Sequence, residues 1–229
     1  MDTTERDEVL EGLNVFRALE SWGAALYAAW AEHETDPILR AGHLIIAERE
    51  ANHARLLAER LRALGGQPGP ACVDQVLAEQ LAELRDVRGL VAQLDALKAA
   101  NARDRDRMAG CEAALARGFA AAKASDPDTH AFWARLYSEE RVSGGWYRAK
   151  YGELSGKRPR TDDLPVLAPG QVVRRAQSSA PPAVPITRAP SAFPICTAAI
   201  PTPPAAACTR SHSPFLTGAR KTSAAYDVG

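Results

Sequence analysis

Two short Asp-Pro punctuations constrain this chain more than any other feature. Thr35-Asp36-Pro37 and Ser125-Asp126-Pro127 each interrupt a long stretch with helical periodicity. In both, the aspartate can accept backbone N–H groups at a helix start. Proline suits the first helical position, where its missing N–H costs nothing. Before the first turn, Leu13, Phe16, Glu20, Gly23, Tyr27 and Trp30 recur at three- and four-residue steps and share one face of a helix over about 4–33. After it, Ile46, Glu50, His53, Leu57, Leu61 and Leu64 form a second stripe, closed by Gly65-Gly66. Met108, Glu112, Leu115 and Phe119 lead into the second turn. Trp133, Tyr137, Glu140, Gly144, Tyr147 and Tyr151 follow it, ending at Gly152. The pattern predicts two helical hairpins.

Residues 66–100 join them. They contain Pro68 and Pro70, then an amphipathic run from Asp74 to about Leu97 in which Gly89 is a potential break. A connection this long suits parallel neighbours in a bundle. The expected fold is all-α, an antiparallel four-helix bundle over 1–155 with a long crossover between its second and third helices. A different composition follows. All but four of the 16 prolines lie at or after Pro159, and from Leu164 onward the only acidic residue is Asp227. A Pro/Ala/Ser-rich stretch of this kind buries too little apolar surface to offset its chain entropy, so 156–229 is expected to be a disordered tail.

Charge and cysteines exclude several classes. Lys+Arg and Asp+Glu both number 28, which gives no global attraction to nucleic acid or anionic membrane. No apolar run approaches the roughly 18 residues of a membrane span, and the acidic N-terminus lacks signal-peptide character. Cys72, Cys111, Cys196 and Cys208 form no CxxC pair, so neither a zinc ribbon nor a disulfide framework is expected. These features predict a cytoplasmic protein, with Cys111 as a buried, inert thiol.

Chemistry enters where carboxylates interrupt apolar stripes. Glu20, Glu50, Glu112 and Glu140 each occupy such a position, and a buried carboxylate is costly unless it is paired or binds a metal. Glu20 and Glu50 lie fifteen residues on either side of Thr35; Glu112 and Glu140 lie fourteen on either side of Asp126. Antiparallel helices rise equally per residue, so each hairpin sets its pair at one height. Glu50 and His53 are i, i+3 neighbours facing the same way. Their Glu-x-x-His spacing suits a carboxylate-bridged metal pair. Glu139, beside Glu140, is expected on the solvated surface.

The run Ala47-Glu48-Arg49-Glu50-Ala51-Asn52-His53-Ala54-Arg55-Leu56-Leu57 resembles the second-helix motif of the ferritin-like superfamily, especially its rubrerythrin-like and bacterial ferritin-like members. The resemblance spans about 155 residues. It implies that Glu20, Glu50, His53, Glu112 and Glu140 bind two iron ions, with manganese an alternative, and that Tyr27 lies beside them. Glu50 and Glu112 would bridge the ions, and oxygen or peroxide would be reduced there in ferroxidase or peroxidase chemistry. One departure stands out: Ser143 occupies the place of the second histidine in Glu-x-x-His, which predicts an asymmetric site. The rival expectation is a degenerate, non-catalytic scaffold acting through partner contacts. A homodimer fits the pattern better than a closed cage. Within the tail, Ser213–Gly218 is a candidate docking peptide, with an undirected tail the plainer alternative.

Overall fold

A computed structural model describes residues 1–166, so the expectations for the tail from 167 onward lie outside the described residues. Among the described residues five helices form: α1 (Thr3–His33), α2 (Pro37–Ala63), α3 (Asp74–Leu84), α4 (Leu90–Ser125) and α5 (Pro127–Leu154). Local chemistry sets their ends. Asp2 and Glu5 exchange side-chain-to-backbone hydrogen bonds at the start of α1. Asp36 Oδ1 accepts from Ile38 N and Leu39 N, and Asp126 Oδ1 from Thr129 N, so both Asp-Pro turns work as expected. Gly65, at φ +76°, and the Gly66 N–H donated to Leu61 O close α2.

Contacts run in a cycle. α1 packs on α2 and α4, α4 packs on α5, and α5 returns to α2. The short α3 lies on α1 and α4. Trp30 Nε1 donates to Leu84 O (3.0 Å), and Gln80 donates to the buried Asp104 (2.9 Å), which pins α3 between its neighbours. The expected crossover over 66–100 is shorter than foreseen. Gly89, at φ +78°, breaks the run, and α4 begins at Leu90. Eleven residues assigned to the connection therefore belong to a 36-residue helix.

Two apolar clusters divide the interior. One holds Leu26, Trp30, Ile46, Leu94 and Trp146; the other holds Leu13, Phe16, Leu57, Leu61 and Trp133. Along α2, Ile46 belongs to the first and Leu57 to the second, with Glu50 and His53 between them. Part of the expected tail also packs. Trp146 Nε1 donates to Asp163 O, Lys150 Nζ to Thr161 O, and Arg158 lies against Gly152. Another expectation about connectivity changes as well. Cys72 and Cys111 form a disulfide with Cα atoms 6.0 Å apart, tying the segment before α3 to α4, so Cys111 is not a free thiol.

Candidate metal centre

α1 and α2 bring three polar residues into the interior at one level: Glu20 and Glu50 are each 3% exposed, and His53 is fully buried. Gly23 makes the room. A Cβ there would stand 3.2 Å from Glu50 Oε2, so glycine lets the carboxyl lie against α1 without being pushed aside. From α5, Glu139 and Glu140 reach the same level. Glu139 Oε2 is 2.8 Å from His53 Nε2, and Glu140 Oε1 is 3.1 Å from His53 Nδ1. His53 Nδ1 also lies 3.1 Å from Glu20 Oε2. Its two nitrogens therefore meet three carboxylates.

A single N–H at Nδ1 cannot serve both Glu20 and Glu140. The hydrogen bond goes to Glu20, and Glu140 Oε1 is left buried without a donor. Glu50 Oε1 is likewise buried and unpartnered. One ligand atom from each of Glu20, His53 and Glu140 lies within 4.8 Å of the others. Orphaned carboxylate oxygens beside an imidazole nitrogen that could give up its proton are what a small cation would satisfy, so the donor set fits a metal ion. His53 Nε2 donating to Glu139 fixes the ring and presents Nδ1 to Glu20 and Glu140.

Electrostatics follow from this crowding. Burial raises Glu20 well above the ordinary carboxylate range, and the charge of Glu140 raises it further. Burial raises Glu50 too, followed by the charges of Glu20 and Glu140. These two carboxyls share a hydrogen bond that favours the proton on Glu50 and the charge on Glu20. Burial pulls His53 down, yet the carboxylates of Glu140 and Glu139 outweigh it, and the net direction is up. Without a metal, burial and mutual repulsion favour protons on these groups.

One expected residue stands elsewhere. Glu112 is exposed, whereas its neighbour Cys111 faces inward. The inner stripe of α4 runs through Cys111, Ala114, Gly118 and Ala121, one position out of phase with the stripe through Met108, Glu112 and Phe119. Close helix approach sets that phase. A Cβ at Gly118 would stand 2.6 Å from Glu8 O and 3.0 Å from Gly12 Cα, so glycine must face α1 and Glu112 is turned outward. Tyr27 is buried among Trp30 and Tyr147, about 10 Å further along α1 than Glu20 by helix rise. Tyr137 senses the centre. Burial, with the charges of Glu20 and Glu140, pushes it up to about 12.

Two residues bordering the centre escaped sequence reasoning. Glu139, expected in solvent, is only 12% exposed at its side chain and holds His53. Arg49 is 6% exposed and donates through Nη1 to Ser143 Oγ (2.7 Å). The place of the second histidine is thus occupied by a serine that already accepts from a buried cation. The signal for Glu139 was available: two adjacent acids on a helix can both border a wide interior site. Nothing in the periodicity marked Arg49.

Comparisons with protein-family models, with curated proteins and with solved structures give no match.

Proposed function

We propose that this chain is a metal-dependent redox protein whose centre holds a single first-row divalent ion, iron or manganese, and acts on oxygen or peroxide in the manner of a ferroxidase or peroxidase. The observation that carries the reading is the convergence of Glu20, His53 and Glu140 within 4.8 Å, with buried carboxylate oxygens still unpartnered. Oxygen donors with one imidazole suit iron and manganese better than softer ions. Such an ion supplies one-electron chemistry toward oxygen or peroxide when bound.

The chain's own residues do the rest. Glu20 and Glu140 provide charge, and His53 Nδ1 is aimed between them by the bond from Nε2 to Glu139. Glu50 holds a proton beside the ligands and can give it up as a cation enters. The stoichiometry departs from the pair implied by the ferritin-like resemblance. Glu112 lies outside, and Ser143 is engaged by Arg49, so a second ion finds few donors.

Elemental analysis of protein purified without a metal-binding tag, followed by anaerobic Fe(II) loading and exposure to oxygen, tests the reading. One ion per chain, with a ferric absorbance that His53→Ala removes, is the expected result. Two ions would restore the dinuclear alternative. No metal after loading would favour the scaffold reading, which the exposed Glu112 and the Arg49–Ser143 contact already recommend as the rival.

A further inference from the structure

Away from the carboxylates, the first apolar cluster contains a polar pair with no structural need to be there. His43 is fully buried, and its Nδ1 lies 2.9 Å from the Tyr147 hydroxyl. Its other nitrogen, Nε2, has no hydrogen-bond partner at all. A buried orphan of that kind calls for an explanation, because an apolar side chain of similar volume would fill the space without leaving one. The surroundings were shaped for it. A Cβ at Gly42 would stand 2.0 Å from Trp146 Cη2, so glycine beside His43 lets the indole pack directly on α2.

The pair sits in an unbroken group of aromatic rings. Tyr27 lies tilted at 5.2 Å from Tyr147 and edge-on at 5.6 Å from Trp30, measured between ring centres. Trp30 and Trp146 meet the His43 ring at 5.8 Å and 6.3 Å, and Trp146 touches Tyr147 at 5.1 Å. One end, Tyr27, is two helical turns from Glu20 on α1. The other end, Trp146, donates to Asp163 O and borders a surface cavity of about 300 Å³. Five rings therefore connect the neighbourhood of the carboxylate centre to the outside of the fold.

We propose that Tyr147 is a redox-active tyrosine and His43 its proton acceptor, within an aromatic relay running from Tyr27 to Trp146. One electron leaves the Tyr147 phenol for a one-electron oxidant of the oxidised-metal class. The phenolic proton moves along the existing hydrogen bond to His43 Nδ1. The O–H bond breaks, an N–H bond forms, and a neutral phenoxyl radical faces an imidazolium. A one-electron reductant reached through Trp146 returns the electron, and the proton goes back to oxygen. Burial keeps His43 neutral by pulling it down to about 4, and in the tautomer protonated at Nε2 its Nδ1 accepts from the Tyr147 hydroxyl and can take the proton. Because Nε2 has no partner, the proton cannot pass onward and the step is reversible.

The relay rests on the metal-centre reading only for the natural source of its oxidant. The test therefore supplies the oxidant by light. Metal-free, full-length protein is flashed with tris(bipyridine)ruthenium(II) and a sacrificial electron acceptor, then freeze-quenched for electron paramagnetic resonance. A tyrosyl signal is expected whose formation slows in D₂O and which Tyr147→Phe largely removes. In His43→Phe the oxidation should slow by at least about 10-fold, the scale of a lost proton acceptor. A signal unchanged in Tyr147→Phe would overturn the proposal. If either variant fails to fold by circular dichroism, the unmodified protein still decides, since equal rates in H₂O and D₂O would overturn it as well. Failure here leaves metal stoichiometry untouched, and absence of metal leaves the photochemical result untouched.

Discussion

The two helical hairpins look alike in outline and differ in what they deliver. α1 and α2 bring Glu20, Glu50 and His53 to one buried level, on the stripes their periodicity announces. α4 and α5 bring Glu139 and Glu140, both from α5, while Glu112 of α4 faces solvent. The difference lies in what fixes helix rotation. α2 is set by a continuous stripe of large apolar residues, Ile46, Leu57 and Leu61, on either side of its polar pair. α4 is set by small residues, because Gly118 and Ala114 lie against Gly12 at a close crossing with α1. Small residues carry a weak hydrophobic signal but a strict steric one. The lesson is that a carboxylate on a helix faces inward only if the helix's closest contact lets it.

The sharpest way to break this comparison is to remove one ligand from each hairpin. His53→Ala should lower affinity for Fe(II) or Mn(II) by more than about 100-fold, and Glu140→Ala should follow closely; Glu112→Ala should change it by less than about 2-fold. Isothermal titration with the three variants measures the contrast. Glu112→Ala matching His53→Ala would place α4 back in the centre. One step weaker, Glu139→Gln removes the carboxylate that orients His53 and should cost about 10- to 100-fold in the same titration.

Proton linkage gives a further contrast, read on the metal-free protein. Glu20 and Glu50 hold protons above the ordinary 4.5 at which the unfolded chain releases them, so their contribution falls as pH rises from there. His53, raised above 6.5, contributes fully below that value and loses its contribution as pH rises through its folded value. His43 acts oppositely. Lowered to about 4, it contributes fully above pH 6.5 and loses its contribution as pH falls toward 4. Between pH 6.5 and 8, then, His43 no longer contributes a change while Glu20, Glu50 and His53 do, and thermal stability of the metal-free protein should decline with rising pH. Glu50→Gln should flatten that decline, and metal loading should reverse it. A rise in stability over pH 6.5–8 without metal would contradict the shared protons.

The smallest effect concerns the turns that define the hairpins. Asp36→Ala and Asp126→Ala should each cost about 1 kcal/mol, the usual loss for a helix N-cap. Asp126 should cost more, since it also accepts from Thr129 Oγ1, and its partner Arg60 is better buried than Arg160, which pairs with Asp36. Chemical denaturation of the two variants ranks them, and equal costs would mean that the Arg60 pair adds nothing.

Much of this molecule is local information. Asp-Pro pairs start α2 and α5 because the aspartate carboxylate and the proline ring act within three residues of themselves. The Glu50–His53 spacing puts both groups on one face wherever the helix packs. Gly65-Gly66 ends α2 for an equally local reason. Those features were therefore determined by sequence alone. Tertiary structure decided what depends on helices meeting. The 2.6 Å limit at Gly118 turned Glu112 outward, and the reach of α5 to α2 brought Glu139 onto His53 and Arg49 onto Ser143. The disulfide between Cys72 and Cys111 belongs to the same class, since 39 residues separate its ends and only the docking of α3 brings them together. A helix carries its own periodicity, but its rotation about its axis is set by whichever neighbour comes closest.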